Sequence, residues 1–359
     1  MALELKPGVV SGKNYAALID HCKDNGFALP AVNVVGTNSI NAVMEAAAKN
    51  KSDIIIQLSN GGAQFYAGAG MPDGANAKVL GAVSAAQHVH LLAEHYGICA
   101  ILHTDHANKK LIPWINSLLD HGERYFAAHG RPLFSSHMLD LSEESIEDNI
   151  DECAKALARM AKIDMSLEIE LGVTGGEEDG VGSDIDMESA DNSKLYTQPE
   201  DVLYAHNRLN PIGHYTLAAS FGNVHGVYKP GNVKLRPEIL KASQEMVAQE
   251  TGTVGNPLNL VFHGGSGSEK DKISEAISYG VFKMNIDTDT QFATSNGVGK
   301  YVEAHKSAFF HQIDPETGDP LKKFYDPRKW LRQGELTMVA RLDEACTDLG
   351  STGKSVAKA

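Results

Sequence analysis

Three of the 15 histidines, His106, His225 and His263, each stand just past the end of an apolar, β-branched run. Three neutral imidazoles that leave one coordination position open are the preferred surroundings of a catalytic zinc ion, with cobalt or another divalent ion as a substitute. Asp105 stands beside His106, where it can act as a general acid or orient the metal ligand. Asp140 and Glu170 end two further runs and can hold a second cation or complete a polar network. His88, His90 and His95 are weaker candidates, because they fall in a helical pattern whose spacings of two and five send the rings to different faces. His103 shares a predicted strand with His106 three positions away, which puts the two on opposite faces.

Two segments suit an anion. His263-Gly264-Gly265-Ser266-Gly267-Ser268 leads into a helix start, so bare backbone N–H groups and Ser266 can cradle a phosphate, and Asn285-Ile286-Asp287-Thr288 follows the next strand. The acidic stretch 175–194 contains Glu177 and Glu178 flanked by glycines, a composition that suits either a solvated surface or a loop carboxylate that swings in as a base. A metal facing a phosphate polarises a carbonyl so that the carbon beside it can lose a proton, with the resulting ene-diolate stabilised by the ion. A lysine Schiff base is the other route to that carbanion. The run 214–222 has no lysine, and Lys283 lies near the N-terminal end of its strand, away from the mouth, so the metal route is favoured.

These residues need elements that converge. Strand patterns fall at 28–34, 53–60, 98–106, 133–141, 166–172, 214–222, 258–263 and 281–287, each followed by a helix-like stretch. Ser142 before Glu143 and Glu144, and Ser268 before Glu269, read as helix caps. Eight strand–helix units predict an α/β fold, a closed (β/α)8 TIM barrel, whose strand ends meet at one mouth. No GxGxxG follows the first strand, which removes the dinucleotide fold's fingerprint. Residues 1–359 read as a single barrel domain, with about 311–359 as a C-terminal helical extension packed on it. The stretch 175–194 reads as a long loop, and 350–355, GSTGKS, as a frayed end.

Composition bounds the partners. The 359 residues carry a formal charge of −14, which repels nucleic acid and anionic membrane surfaces. No run approaches the roughly 20 apolar residues that span a bilayer. Cys22, Cys99, Cys153 and Cys346 show no CxxC pairing, as expected of a reduced, cytoplasmic protein.

The segments LHTDHANKK (102–110), LEIELGVTGGEEDG (167–180), SFGNVHGVYKPG (220–231), VFHGGSGS (261–268) and KMNIDTDT (283–290) resemble the class II, zinc-dependent fructose-bisphosphate aldolases. The DPRKWLR segment at 326–332 resembles that of their longer subgroup. The resemblance implies reversible cleavage of fructose 1,6-bisphosphate to dihydroxyacetone phosphate and glyceraldehyde 3-phosphate by a homodimer. By motif position His106, His225 and His263 resemble the catalytic zinc ligands, and Asp140 and Glu170 the ligands of a second divalent site. Asp105 matches the group that protonates the aldehyde oxygen, and Glu178, beside Glu177, the base that removes the ketone-phosphate proton. Asn33, Ser59, Asn285 and Asp287 match substrate contacts, and Gly226, Gly264, Gly265, Ser266 and Thr288 surround the first phosphate. Arg328 is assigned to the second phosphate, supplied within its own subunit or across the dimer. A monovalent cation, K+ or Na+, is implied near Lys229. The chain departs from the commoner family version at Ala107-Asn108, where Cys-Ala is usual. A tagatose-bisphosphate aldolase is the nearest alternative, which the extension and the GGEEDG loop disfavour; a non-catalytic sugar-phosphate-binding protein is a remoter one, and no base or ligand is lost.

Overall fold

The structure is a computed structural model that describes residues 3–174, 176–178, 181–183, 196–224 and 234–358. Eight strands form the barrel: β1 (Leu29–Asn33), β2 (Ile54–Leu58), β3 (Cys99–Thr104), β4 (Ser136–Leu139), β5 (Ser166–Leu171), β6 (Tyr215–Ala219), β7 (Leu260–Phe262) and β8 (Val281–Ile286). Each pairs in parallel with the next. Pairing of Lys283–Ile286 with Leu29–Val32 closes β8 onto β1. A short strand, Gly8–Val9, adds to β3 at Cys99 and Ala100. The expected (β/α)8 barrel is present, with helices following the strands around it.

Parity along the strands decides what faces inward. In β2, Ile54, Ile56 and Leu58 join the apolar layer under the helices, whereas Ile55 joins the interior. The lower interior is apolar, built from Leu29, Ala31, Ile55, Cys99, Ile101, Ala218, Val261 and Phe282. The helix Gly12–Asp24 closes the base from below with Tyr15, Leu18, Ile19 and Cys22. The upper interior is polar, because the next inward positions are Gln57, His103, Glu168 and Lys283, followed by Asn33, Asp105, Glu170, His263 and Asn285, all buried. A closed parallel barrel has no edge, so this polar column is satisfied only by itself and by whatever enters the mouth.

Some helices fit unusually closely. Gly74–Tyr96 closes on Asn60–Ala67 through Gly81, where a Cβ would lie 1.7 Å from the Ala63 carbonyl oxygen. The C-terminal helix Pro327–Asp348 packs against Thr288–Ala304 and Thr37–Asn50. Among the described residues no helix is long and apolar enough to cross a membrane. All four cysteines are free and buried.

Three expectations are corrected. Residues 350–355 are not frayed: Ser351 is fully buried and bonded to Ser52, and Ser355 and Val356 are bonded to Asp53. The acidic stretch is not all loop, since Gly176–Glu178 and Val181–Ser183 pair as an antiparallel hairpin. Ser142 does not cap a helix; Ser145 caps Ile146–Met160, and Ser142 instead donates to Asp140.

Candidate active site

The mouth is organised around Asp105, which follows β3 and is 1% exposed. Its Oδ2 accepts from Asn33 Nδ2 at 3.0 Å and from Gln57 Nε2 at 2.9 Å, and its Oδ1 from Asn285 Nδ2 at 3.2 Å. Three amides from β1, β2 and β8 thus fix both carboxylate oxygens. Burial alone would raise the carboxyl, but positive charge on His106, Lys283, His263 and His103 outweighs it and brings Asp105 down to about 2.

His106 and His263 meet beside it, with ring centroids 4.6 Å apart. The strand ends at Thr104 and His106 takes a positive φ of 20°, so the chain has left the pleat before the ring is set. The expected opposition between His103 and His106 therefore does not apply. His103 lies inside the barrel, its Nδ1 2.7 Å from Ser136 Oγ, and burial lowers its imidazole to about 3. His106 Nδ1 donates to Asp140 Oδ2 at 3.0 Å, and Asp140 Oδ1 accepts from Ser142 Oγ at 2.7 Å. Glu170 Oε2 lies 3.6 Å from His106 Nδ1 and 3.5 Å from His263 Nδ1. Thr174 Oγ1 holds the other Glu170 oxygen at 2.6 Å.

The donor set fits a divalent metal. One ligand atom each from Asp105, His106 and His263 lies within 4.8 Å of the others, and the same holds for His106, Asp140 and Glu170. Burial disfavours charge on both rings, yet the surrounding carboxylates raise His106 well above its ordinary value and His263 to about 9. Acidic groups that pull protons onto buried imidazoles create the same demand for positive charge that a bound cation meets. His225, the third expected ligand, lies outside the described residues, as do Gly226 and Lys229.

The remaining expected residues fall on several elements. Ser59 is buried and caps Asn60–Ala67, accepting from Gly62 N at 3.0 Å. Gly264 turns out of β7 at φ +59°, and Gly265 N donates to Asn285 O at 3.2 Å, so the glycine turn leans on the end of β8. Ser266 is buried within that turn. Asp287 precedes the helix Thr288–Ala304, and its Oδ2 accepts from Gln291 Nε2 at 2.7 Å. Glu177 and Glu178 lie on the hairpin opposite Gly182 and Val181. Arg328 is set apart: its side chain is 88% exposed and its guanidinium is bonded to Asp326.

A second polar layer was missed. Lys283 is not remote from the chemistry, because its Nζ holds both oxygens of Glu168 at 2.8 and 2.7 Å and Glu168 Oε1 lies 2.8 Å from His263 Nε2. Gln57, His103, Glu168 and Lys283 each stand two residues before a mouth residue, Ser59, Asp105, Glu170 and Asn285. That period-2 repetition of polar residues was the available signal.

A parallel barrel whose mouth concentrates buried imidazoles, carboxylates and amides beside glycine turns is the build of a TIM-barrel enzyme. Residues 13–354 match the family model for class II fructose-bisphosphate aldolase, and the chain belongs to that family, the metal-dependent class of these aldehyde-lyases. It is 57% identical to fructose-bisphosphate aldolase class 2 of Escherichia coli (strain K12) over 354 residues, 97% of each chain. It is 58% identical to fructose-bisphosphate aldolase of Edwardsiella ictaluri over 349 residues, 96% of each. The crystal structure of fructose-bisphosphate aldolase from Campylobacter jejuni superposes with a TM-score of 0.88 at 54% identity and 98% coverage of both chains.

Proposed function

We propose that this chain catalyses the reversible aldol cleavage of fructose 1,6-bisphosphate to dihydroxyacetone phosphate and glyceraldehyde 3-phosphate. The observation that carries the reading is the buried cluster of Asp105, His106 and His263 at the mouth of a barrel of this family. His106, His225 and His263 would hold a catalytic zinc ion. Bound there, zinc supplies a Lewis acid that draws electron density from the ketone and offsets negative charge as the carbon–carbon bond breaks.

The chain's own groups do the rest. Asp105, kept ionised and aimed by Asn33, Gln57 and Asn285, takes the hydroxyl proton in cleavage and returns it to the aldehyde oxygen in synthesis. Glu178, with Glu177 beside it, exchanges the proton at the ketone-phosphate carbon. Gly226, Gly264, Gly265, Ser266 and Thr288 surround the first phosphate, while Asn33, Ser59, Asn285 and Asp287 line the sugar. Arg328 receives the second phosphate, within its own subunit or across the boundary of a homodimer, and its exposed guanidinium is available to do so. Asp140 and Glu170 hold a second divalent cation, and K+ or Na+ binds near Lys229 as activator. Residues 1–359 act as one unit in the cytoplasm, with no nucleic acid or membrane partner.

The test is to incubate purified protein with fructose and tagatose bisphosphates, with and without chelator, and follow triose-phosphate release. Cleavage of the fructose compound that stops with chelator supports the reading. Preference for the tagatose compound overturns the substrate assignment, and a borohydride-trapped adduct overturns the metal route. Glu178→Gln should slow proton exchange at the ketone phosphate about 100-fold or more with metal content unchanged.

A further inference from the structure

The ion pair between Glu168 and Lys283 has no part in the mechanism above. Both side chains are 1% exposed, contributed by β5 and β8, three strands apart around the barrel. Burying two charges is costly, and apolar replacements of such pairs are often as stable, so fold stability alone is a weak account of this one. Glu168 also touches His263: Oε1 lies 2.8 Å from Nε2. Lys283 Nζ holds the same carboxylate at 2.8 and 2.7 Å. A carboxylate gripped on both oxygens by an ammonium is ionised, and an ionised carboxylate only accepts hydrogen bonds. The His263 nitrogen that meets it must therefore donate. That leaves the ring's Nδ1 on the side of Glu170 and His106. At His106 the arrangement is reversed, since Asp140 accepts from Nδ1. The two rings are presented to the mouth through opposite nitrogens, each fixed by its own carboxylate.

We propose that the Lys283–Glu168 pair is a positioning device for metal binding: it locks His263 as the Nε2–H tautomer and aims Nδ1 at the ion. The inference rests on the reading of His263 as a metal ligand. Lys283 acts through Glu168, and Glu168 through His263, so neither is a catalytic residue.

Two measurements on the full-length protein test this. In zinc-loaded protein carrying 15N-histidine, the His263 signals should show the proton on Nε2; a proton on Nδ1 with Nε2 bare overturns the inference. Metal-free wild type, Glu168→Gln and the charge-free double variant Glu168→Gln/Lys283→Met are then titrated with zinc against a chromophoric chelator. Whichever variant melts as the wild type does should bind zinc about 10- to 100-fold more weakly, with a displaced ligand-field band when loaded with cobalt. Unchanged affinity and an unchanged cobalt band in a folded variant overturn the inference alone. Wild-type protein that binds no zinc overturns the metal reading, and the inference with it.

Discussion

Asp53 and Val356 are joined at the base of the barrel: Asp53 Oδ2 accepts from the Val356 backbone N–H at 2.8 Å. Its Oδ1 accepts from Ser355 Oγ at 2.8 Å and from Cys99 N at 2.9 Å. One buried carboxylate therefore ties the end of the chain to β3. Asp53→Ala leaves the Cys99 and Val356 N–H groups without an acceptor, a cost of about 1–3 kcal/mol each. The variant should melt lower than wild type and lose its C-terminal residues faster to a protease. Ser355→Ala, which removes a hydroxyl alone, should cost about 0.5–1.5 kcal/mol. An unchanged melting temperature in Asp53→Ala would show that the tail contributes nothing to the base.

His90 and His137 should make stability depend on acid. Burial lowers His90 to about 4 and His137 to about 3, against an ordinary value of 6.5. His90 is bonded to the Leu133 carbonyl and His137 to Thr104 Oγ1. Each folded value is below the unfolded one, so between about pH 4 and 6.5 the unfolded chain binds more protons than the folded chain. Stability is then full above pH 6.5 and falls as pH drops, by up to about 1.4 kcal/mol per pH unit for each group. Urea unfolding at pH 4.5, 5.5 and 6.5 measures this. His137→Asn should make the dependence shallower, and an equal slope in the variant refutes the assignment.

The barrel was legible because each strand is an apolar run closed by a polar residue, and a parallel sheet covered on both faces imposes that pattern. His106, His263, Asp105, Asp140 and Glu170 were legible for the same reason, standing at strand ends where the chain opens onto the mouth. Glu168 and Lys283 were harder to read. They lie inside strands, where a charged residue is ordinarily placed on solvent, and only their mutual pairing across the barrel makes burial possible. The order of the tail is not legible locally, because its Gly, Ser and Thr residues have the composition of a free end. Its anchor, Asp53, is some 300 residues away in sequence, a contact that no local pattern reveals. Ser142 suits a helix start by residue type, yet Ser145 satisfies the cap geometry and leaves Ser142 to Asp140.

Gly265 should tolerate no side chain without disturbing the glycine turn proposed to hold the first phosphate. A Cβ there would lie 2.5 Å from Met284 Cγ, 2.8 Å from Met284 Sδ and 3.0 Å from Asn285 O. Met284 can yield, but the Asn285 carbonyl belongs to β8 and accepts from Gly265 N. Gly265→Ala therefore pushes the turn away from Asn285, the residue that also holds Asp105. The KM for fructose 1,6-bisphosphate should rise about tenfold or more, since displacements near 1 Å are costly at such sites. Zinc content should be unchanged. Wild-type kinetics in this variant would remove the turn from the phosphate site.

Arg328, if it receives the second phosphate as proposed, should separate the two phosphates in kinetics. Its side chain is 88% exposed and its pairing with Asp326 is a surface contact, which contributes little to folding. Arg328→Ala should therefore melt as wild type does. Loss of a bidentate contact to a phosphate should raise the KM for the bisphosphate about 10- to 100-fold. Proton exchange on dihydroxyacetone phosphate, which has one phosphate, should proceed at the wild-type rate; an equal loss there would move Arg328 to the first phosphate or to a structural role. A mixing experiment decides which subunit's site it serves. If the guanidinium serves the partner's barrel, mixing Arg328→Ala with Glu178→Gln and allowing subunits to exchange creates dimers with one complete site, and activity should recover above that of either variant. Mixtures that stay at the sum of the two parents would place Arg328 in its own subunit's site.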